Sequence, residues 1–264
     1  MLRFYVEVAR TAFRRQLIYR WANLAGLFTN VFFGAVISYV IIALFHARPV
    51  VAGYDVRDTL RYTWLVQAMI MVVLPFGWFD LLLTIRTGEV AADLNKPCDF
   101  YWYWFSREVG RDAYYLIFRG VPTYVAGMLL FGFGMPPGFS YWLPFALSLG
   151  AGAALGIAYR FLANLVSFWL IEGRAAAGLA YVIALFCAGS YVPIAFFPSG
   201  LRAVVEWLPF SALLNAPAEI FIGTAAASAV PLLLARQALW LVALTLAARG
   251  LTTLAGRRVV VQGG

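Results

Sequence analysis

The sequence predicts an all-α, polytopic membrane protein with six transmembrane helices. It adds an N-terminal interfacial amphipathic helix and an outer re-entrant broken hairpin between the fifth and sixth spans. Three observations carry this. The 264 residues are 63% apolar and only 12% charged, roughly half the charge with which a soluble domain covers itself. Several apolar stretches are long enough to cross a hydrocarbon core of about 30 Å. None alternates with period two, so a barrel is excluded and the backbone must satisfy itself as helix. The chain is read as a single transmembrane domain over 1–264.

Residues 1–20 come before any apolar run. Arg3, Glu7, Arg10 and Arg14 recur on one helical face, with Phe4, Tyr5, Val8, Ala9 and Ala12 opposite. That pattern predicts a helix lying in the membrane interface; a simple extension of the first span into the cytosol is the plainer alternative. The first apolar run is too long for a signal peptide and carries no cleavage pattern, so a retained anchor is expected. Spans are expected at about 21–45, 60–85, 112–134, 142–170, 176–193 and 228–249, each sufficient to cross as helix. Pro75 and Gly77 predict a kink in the second. In 194–227, Pro198, Pro209 and Pro217 leave apolar pieces of about ten residues, too short to cross.

Charge bias sets the orientation. With six spans, thirteen of the basic residues, Arg257 and Arg258 among them, fall on the side of the two termini and five on the other. The positive-inside rule makes the termini cytosolic and the hairpin outer. The net charge of +8 is therefore a topological signal: it is nearly all Arg, scattered along membrane flanks, with Lys96 as the one lysine. No nucleic-acid partner is expected. Cys98 and Cys187 form no C-x-x-C, and the lone His46 at the outer end of the first span reads as a solvated interfacial side chain. No metal site follows.

The largest charged loop, 86–111, reads RTGEVAADLNKPCDFYWYWFSREVGR and falls on the cytosolic side. Nothing breaks a helix between Gly88 and Pro97, so Glu89 to Asn95 are expected to form about two turns with Glu89 at the positive end. The YWYW run suits the lipid headgroup level and would tether the segment there. This stretch is either a solvated loop with an aromatic belt or a docking helix.

A series of motifs then resembles ABC-2-type transporter permeases, the membrane-spanning subunits of ABC exporters. They are AFRRQ-x-x-YR-x-x-N-x-x-G from Ala12 to Gly26, R-x-G-E-x-A-x-x-L from Arg86 to Leu94 followed by Pro97, the aromatic run, and Arg107 to Arg111. F-P-S-G-L-R from Phe197, L-P-F at Pro209, P-x-x-I-F-I-G from Pro217 and the ending R-R-V-V-V-Q-G-G complete the series. The resemblance implies that 86–111 is a coupling segment, with Gly88, Glu89, Ala91, Asp93, Leu94 and Pro97 contacting a cytosolic ABC ATPase subunit. It implies pairing with a second permease subunit, the same or a similar chain, in the cytoplasmic (inner) membrane of a prokaryote. ATP and Mg would be held by the partner ATPase and no cofactor by this chain. In agreement, the sequence has no G-x-x-x-x-G-K-[ST] loop, and Lys96 is followed by Pro97; the chain is not itself expected to be an enzyme.

Polar residues within the spans have two readings. Asn23, Gly26, Asn30, Gly34 and Ser38 step by three or four along the first helix, either as a close-packed seam or as one wall of a translocation route. The resemblance places the first, second and fifth helices near the subunit interface, which adds Thr63, Gln67 and Ser190 to that wall. Gly152 and Gly156 form a G-x-x-x-G that allows a backbone to approach. Arg119 and Arg160 lie at membrane depth and need partners or water; Arg119 is expected to snorkel to the cytosolic face and Arg160 to pair with Asp80.

The expected function is an ATP-driven export permease working by alternating access on an unidentified substrate. A lipid-modifying enzyme would need clustered His, Asp or nucleophile–base groups, and no such cluster exists. A secondary transporter is the alternative reading; it would usually show internal repeats and intramembrane ionisable residues, and the halves show no convincing repeat.

Overall fold

The computed structural model describes residues 2–77, 79–135, 138–170 and 173–255. The R-R-V-V-V-Q-G-G ending, with Arg257 and Arg258, lies outside the described residues. Twelve α-helices and no strand occur among them.

Helix α1, Leu2–Ile18, is separate from α2, Arg20–Ala47, because the backbone leaves helical geometry at Tyr19 (φ −93°, ψ 31°). Tyr5, Val8, Ala9 and Ala12 form its half-buried face and Arg3, Glu7, Arg10 and Arg14 lie exposed, as the helical spacing predicts, whereas Phe4, expected on the apolar face, is exposed. That face packs on α6, Phe100–Tyr115. The crossing is close enough that a Cβ on Gly110 would overlap the Ala9 carbonyl.

Helix α3, Val56–Val73, starts with Asp55 accepting a 2.7 Å bond from the Asp58 amide, an N-cap of ordinary type. Its apolar residues point in every direction, so it is buried on most sides. Trp64, Val66, Met69 and Val73 anchor the main core, joined by Leu155, Ala184 and Ala218 from later helices and by Leu213 from the turn before Asn215. The expected kink is a full break: α3 stops at Val73, and α4, Asp80–Thr87, begins after Pro75 and Gly77, the latter at φ 71°.

After α5, Val90–Leu94, helix α6 continues through a π-turn at Leu116–Gly120 into α7, Val121–Phe131. The aromatic run thus belongs to one long helix that starts twelve residues before the expected third span. Asp99 explains the start, accepting a 3.0 Å bond from the Trp102 amide. Helix α8, Trp142–Leu165, crosses α3 and α12, Val230–Ala255; α9, Gly173–Cys187, is short.

Four helical runs are long and apolar enough to cross a membrane: Arg20–Ala47, Phe100–Phe131, Trp142–Phe168 and Val230–Ala255. Two further segments depart from that pattern. α9 has 15 residues, about 22 Å at 1.5 Å per residue, and α3 carries Arg57, Asp58 and Arg61 in its first turns. In 194–227 the chain forms a 3₁₀ turn at Ile194–Phe196, α10 at Ser199–Val205 and α11 at Asn215–Ile222. Pro198 and Pro209 separate these pieces as expected. Pro217 does not, because it falls in the first turn of α11, where a missing N–H costs nothing.

Candidate functional site

The coupling segment is built on the Gly88 corner. Gly88 closes α4 in the left-handed region (φ 80°), and α5 follows as little more than one turn instead of the two expected. Val90 is buried and Leu94 half-buried on a second apolar cluster made by Leu81, Phe100, Trp104, Phe161, Leu165 and Ala248. Of the six residues named from sequence, Gly88, Glu89 and Pro97 are exposed, Ala91 and Asp93 are intermediate, and Leu94 faces inward. Exposed Ala92 and Asn95 extend the outer face; their apolar and neutral character gave no signal in the sequence.

Polar contacts then pin the segment to three helices. Lys96 Nζ donates to Asp93 Oδ1 at 2.6 Å and to the Tyr103 hydroxyl at 2.8 Å, 4.0 Å from that ring's centre. Asp99 pairs with Arg249 of α12 at 2.9 Å, and its amide donates to the Tyr5 hydroxyl of α1 at 3.2 Å. Burial works to lower the Lys96 pKa, but the bonds to Asp93 and Tyr103 outweigh it and hold it above the ordinary value. The contribution of this pin is therefore complete below about 10.4 and is lost only as pH climbs through the higher folded value. Amide exchange across 90–97, corrected for intrinsic rate, is expected to stay flat from pH 6 to 9; a rise in that window would show that the pin is not made by Lys96.

Behind the segment lies a closed quartet of charges. Glu108, Arg111 and Asp112 occupy one face of α6 at three- and four-residue spacing. Arg111 Nη2 lies 2.7 Å from Glu108 Oε2 and 2.8 Å from Asp112 Oδ1; Arg160 Nη2 of α8 lies 3.1 Å from Glu108 Oε2 and 3.1 Å from Asp112 Oδ2. Two cations and two anions cancel, which is what permits all four to be buried. Arg160 also donates through Nη1 to the Val73 carbonyl, while Asn164 Oδ1 accepts from the Leu82 amide at 3.2 Å. Adjacent turns of α8 thus satisfy the backbone on both sides of the break between α3 and α4, as irregular backbone at membrane depth requires. The expected Asp80–Arg160 pair is not formed: Asp80 lies 3.8 Å from Arg107, partly exposed, and Arg160 turns to α6. Glu108 was missed because it sits in a charged stretch that reads as solvated, and Asp112 because it falls at the edge where that stretch meets the expected third span.

The polar stripe of α2 meets neighbours of its own chain. Asn23 donates to the Tyr114 hydroxyl at 3.1 Å, Asn30 to the Gln67 carbonyl at 3.3 Å, and Ser38 accepts from Trp64 Nε1 at 2.9 Å. Gly34 faces the Trp64 ring, and Gly26 admits the Arg119 guanidinium, whose Nη2 donates to Asn30 Oδ1 at 3.3 Å. Arg119 is therefore folded under α2 and does not snorkel. Thr63 bonds back to the Thr59 carbonyl and Ser190 to Leu185, capping the end of α9. All six residues named for a translocation wall are buried, and in this chain the geometry is that of a packed seam. Gly152 and Gly156 do admit backbone, Leu213 and Val73 respectively.

At the other end, Asn215 of α11 ties together the pieces of 194–227. Its Oδ1 lies 2.9 Å from the Tyr62 hydroxyl of α3 and accepts from the Ile194 amide at 3.3 Å. Buried Gln237 of α12 donates to the Ser148 carbonyl of α8 and to the Ala212 carbonyl at 3.0 and 2.8 Å, so a carbonyl freed in the turn before α11 finds a side-chain donor.

Together, long apolar helices, a paired charge cluster and a helix break satisfied by side chains mark an integral membrane protein. The sequence model of the family described as "ABC-2 family transporter protein" matches residues 31–261, and the chain belongs to that family. Searches of curated proteins and of solved structures gave no match. The family is a non-catalytic membrane subunit that normally works with an ATPase partner.

Proposed function

We propose that this chain is the permease subunit of an ATP-driven exporter in a prokaryotic cytoplasmic membrane. It crosses six times with both termini cytosolic and pairs with a second permease of the same or similar sequence. A separate ABC ATPase, holding ATP and Mg, docks on the exposed face of α5. ATP-driven closure of the ATPases displaces α5, and the contacts of Lys96 and Asp99 pass that displacement to α1, α6 and α12. The break between α3 and α4 lets the cytosolic end of the second span move apart from its buried outer part, so the paired bundles alternate in access. The hairpin at 194–227 covers the outer side as a re-entrant lid.

One observation carries this reading: a short helix with an exposed face, and little core of its own, is tied through the residues that follow it by polar contacts to three helices of the bundle. The test is co-purification of a P-loop ATPase with the tagged chain. Glu89→Arg with Ala92→Arg, both on the exposed face, is expected to abolish capture while leaving the unfolding temperature within a few degrees of the parent, since exposed substitutions typically cost within about 0.5 kcal/mol. Undiminished capture by the double variant would refute docking on α5.

A further inference from the structure

Between α1 and α6 lies a cavity of about 650 Å³, within the size range of small-ligand sites. Its wall carries Arg15, Arg107 and Arg111 against Glu7, Asp80 and Glu108, with Phe4 and Val8 along the α1 side. Pairing these charges leaves a remainder. Arg111 and Glu108 cancel inside the quartet, Glu7 faces Arg10 at 3.5 Å, and Asp80 faces Arg107 at 3.8 Å. Arg15 makes no ion pair among the described residues, so once Arg10, just outside the wall, is counted with Glu7, one positive charge is left over. The Asp80–Arg107 contact is long, and the Arg107 guanidinium stacks on Trp104 at 4.2 Å, which leaves its donors open to a better acceptor. Gln16 supplies an amide beside them.

We infer that this cavity binds the phosphodiester headgroup of an anionic phospholipid. A phosphodiester carries one negative charge, matching the remainder, and accepts the forked bonds a guanidinium gives. The lipid source is favoured over free phosphate because the same wall is half apolar and α1 exposes Leu2, Phe4, Val6, Leu17 and Ile18, the composition of a helix set among acyl chains. This rests on the reading of α1 as an interfacial helix, and it gives the bound lipid a role: it fastens α1 to the helix that bears the charge quartet.

The experiment uses the delipidated full-length protein in detergent, without any ATPase, so that failure of docking on α5 leaves the result unaffected. Native mass spectrometry with added phosphatidylglycerol or phosphatidylcholine is expected to show preferential retention of the former. Arg15→Gln should reduce that retention about tenfold, the equivalent of one charge-assisted bond, whereas Arg14→Gln, at a position outside the cavity wall, should not. Equal retention of both lipids, or undiminished phosphatidylglycerol binding by Arg15→Gln, would overturn the inference. Thermal protection by inorganic phosphate equal to that by phosphatidylglycerol would also overturn it, since the acyl part would then contribute nothing.

Discussion

Replacing Arg160 by leucine is expected to destabilise the protein by about 3–5 kcal/mol, the usual consequence of removing one partner from a buried ion pair. The substitution leaves Arg111 facing both Glu108 and Asp112, one net negative charge in a site where the side chains are almost fully covered. It also strips the Val73 carbonyl of its donor at the point where α3 ends. Adding Asp112→Asn restores neutrality and should recover part of the loss. Asp80→Asn, by contrast, removes only a partly exposed contact of 3.8 Å and should cost about 0–1 kcal/mol. Tryptophan-fluorescence unfolding in detergent, with purification yield as a second readout, checks the series. An Arg160→Leu protein as stable as the parent would mean that the quartet does not hold α6 to α8. A larger loss from Asp80→Asn than from Arg160→Leu would reinstate Asp80 as the partner that matters.

Gly156→Leu is the second substitution with a large expected effect. A Cβ at this position would overlap the Val73 carbonyl oxygen, which is backbone and cannot swing away, so α8 must move off α3. Gly156 lies one turn before Arg160 on the same helical face, so the displacement also draws the guanidinium from the quartet and from Val73. Overpacking alone costs about 1–3 kcal/mol, and the lost ionic contacts come in addition. Gly150→Ala is the matched control: the same helix at that position has open space, and the added methyl should be neutral or stabilise by up to about 1 kcal/mol through helix propensity. If Gly156→Leu unfolds at the parent temperature, the approach of α8 to α3 is looser than described.

The two series also show where sequence reasoning succeeds. Gly152 and Gly156 are recognisable because close backbone approach requires a missing side chain whatever the partner, so their spacing carries the function locally. The amphipathic face of α1 is legible for a similar reason: Tyr5, Val8, Ala9 and Ala12 need only the helical period to fall together. Proline and glycine punctuation located the break after Val73 and the pieces at 194–227, but not which side chains would answer the exposed carbonyls. Leu94 shows the limit for the candidate site. A leucine in a charged loop suits an outward docking face or an inward anchor equally, and the second apolar cluster, assembled from α4, α6, α8 and α12, makes it an anchor.

By itself the sequence determined that this chain is a helical membrane protein, where its apolar runs lie and where proline and glycine interrupt the helices. Those properties depend on composition and on contacts a few residues apart. The tertiary structure alone decided that Arg160 joins Glu108 and Asp112, that the stripe from Asn23 to Ser38 is filled by Tyr114, Gln67 and Trp64, and that Leu94 points inward. An ionic or hydrogen-bonding side chain at membrane depth must find a partner, but which one is nearest is set by how helices tens of residues apart pack together, and no local pattern encodes that distance.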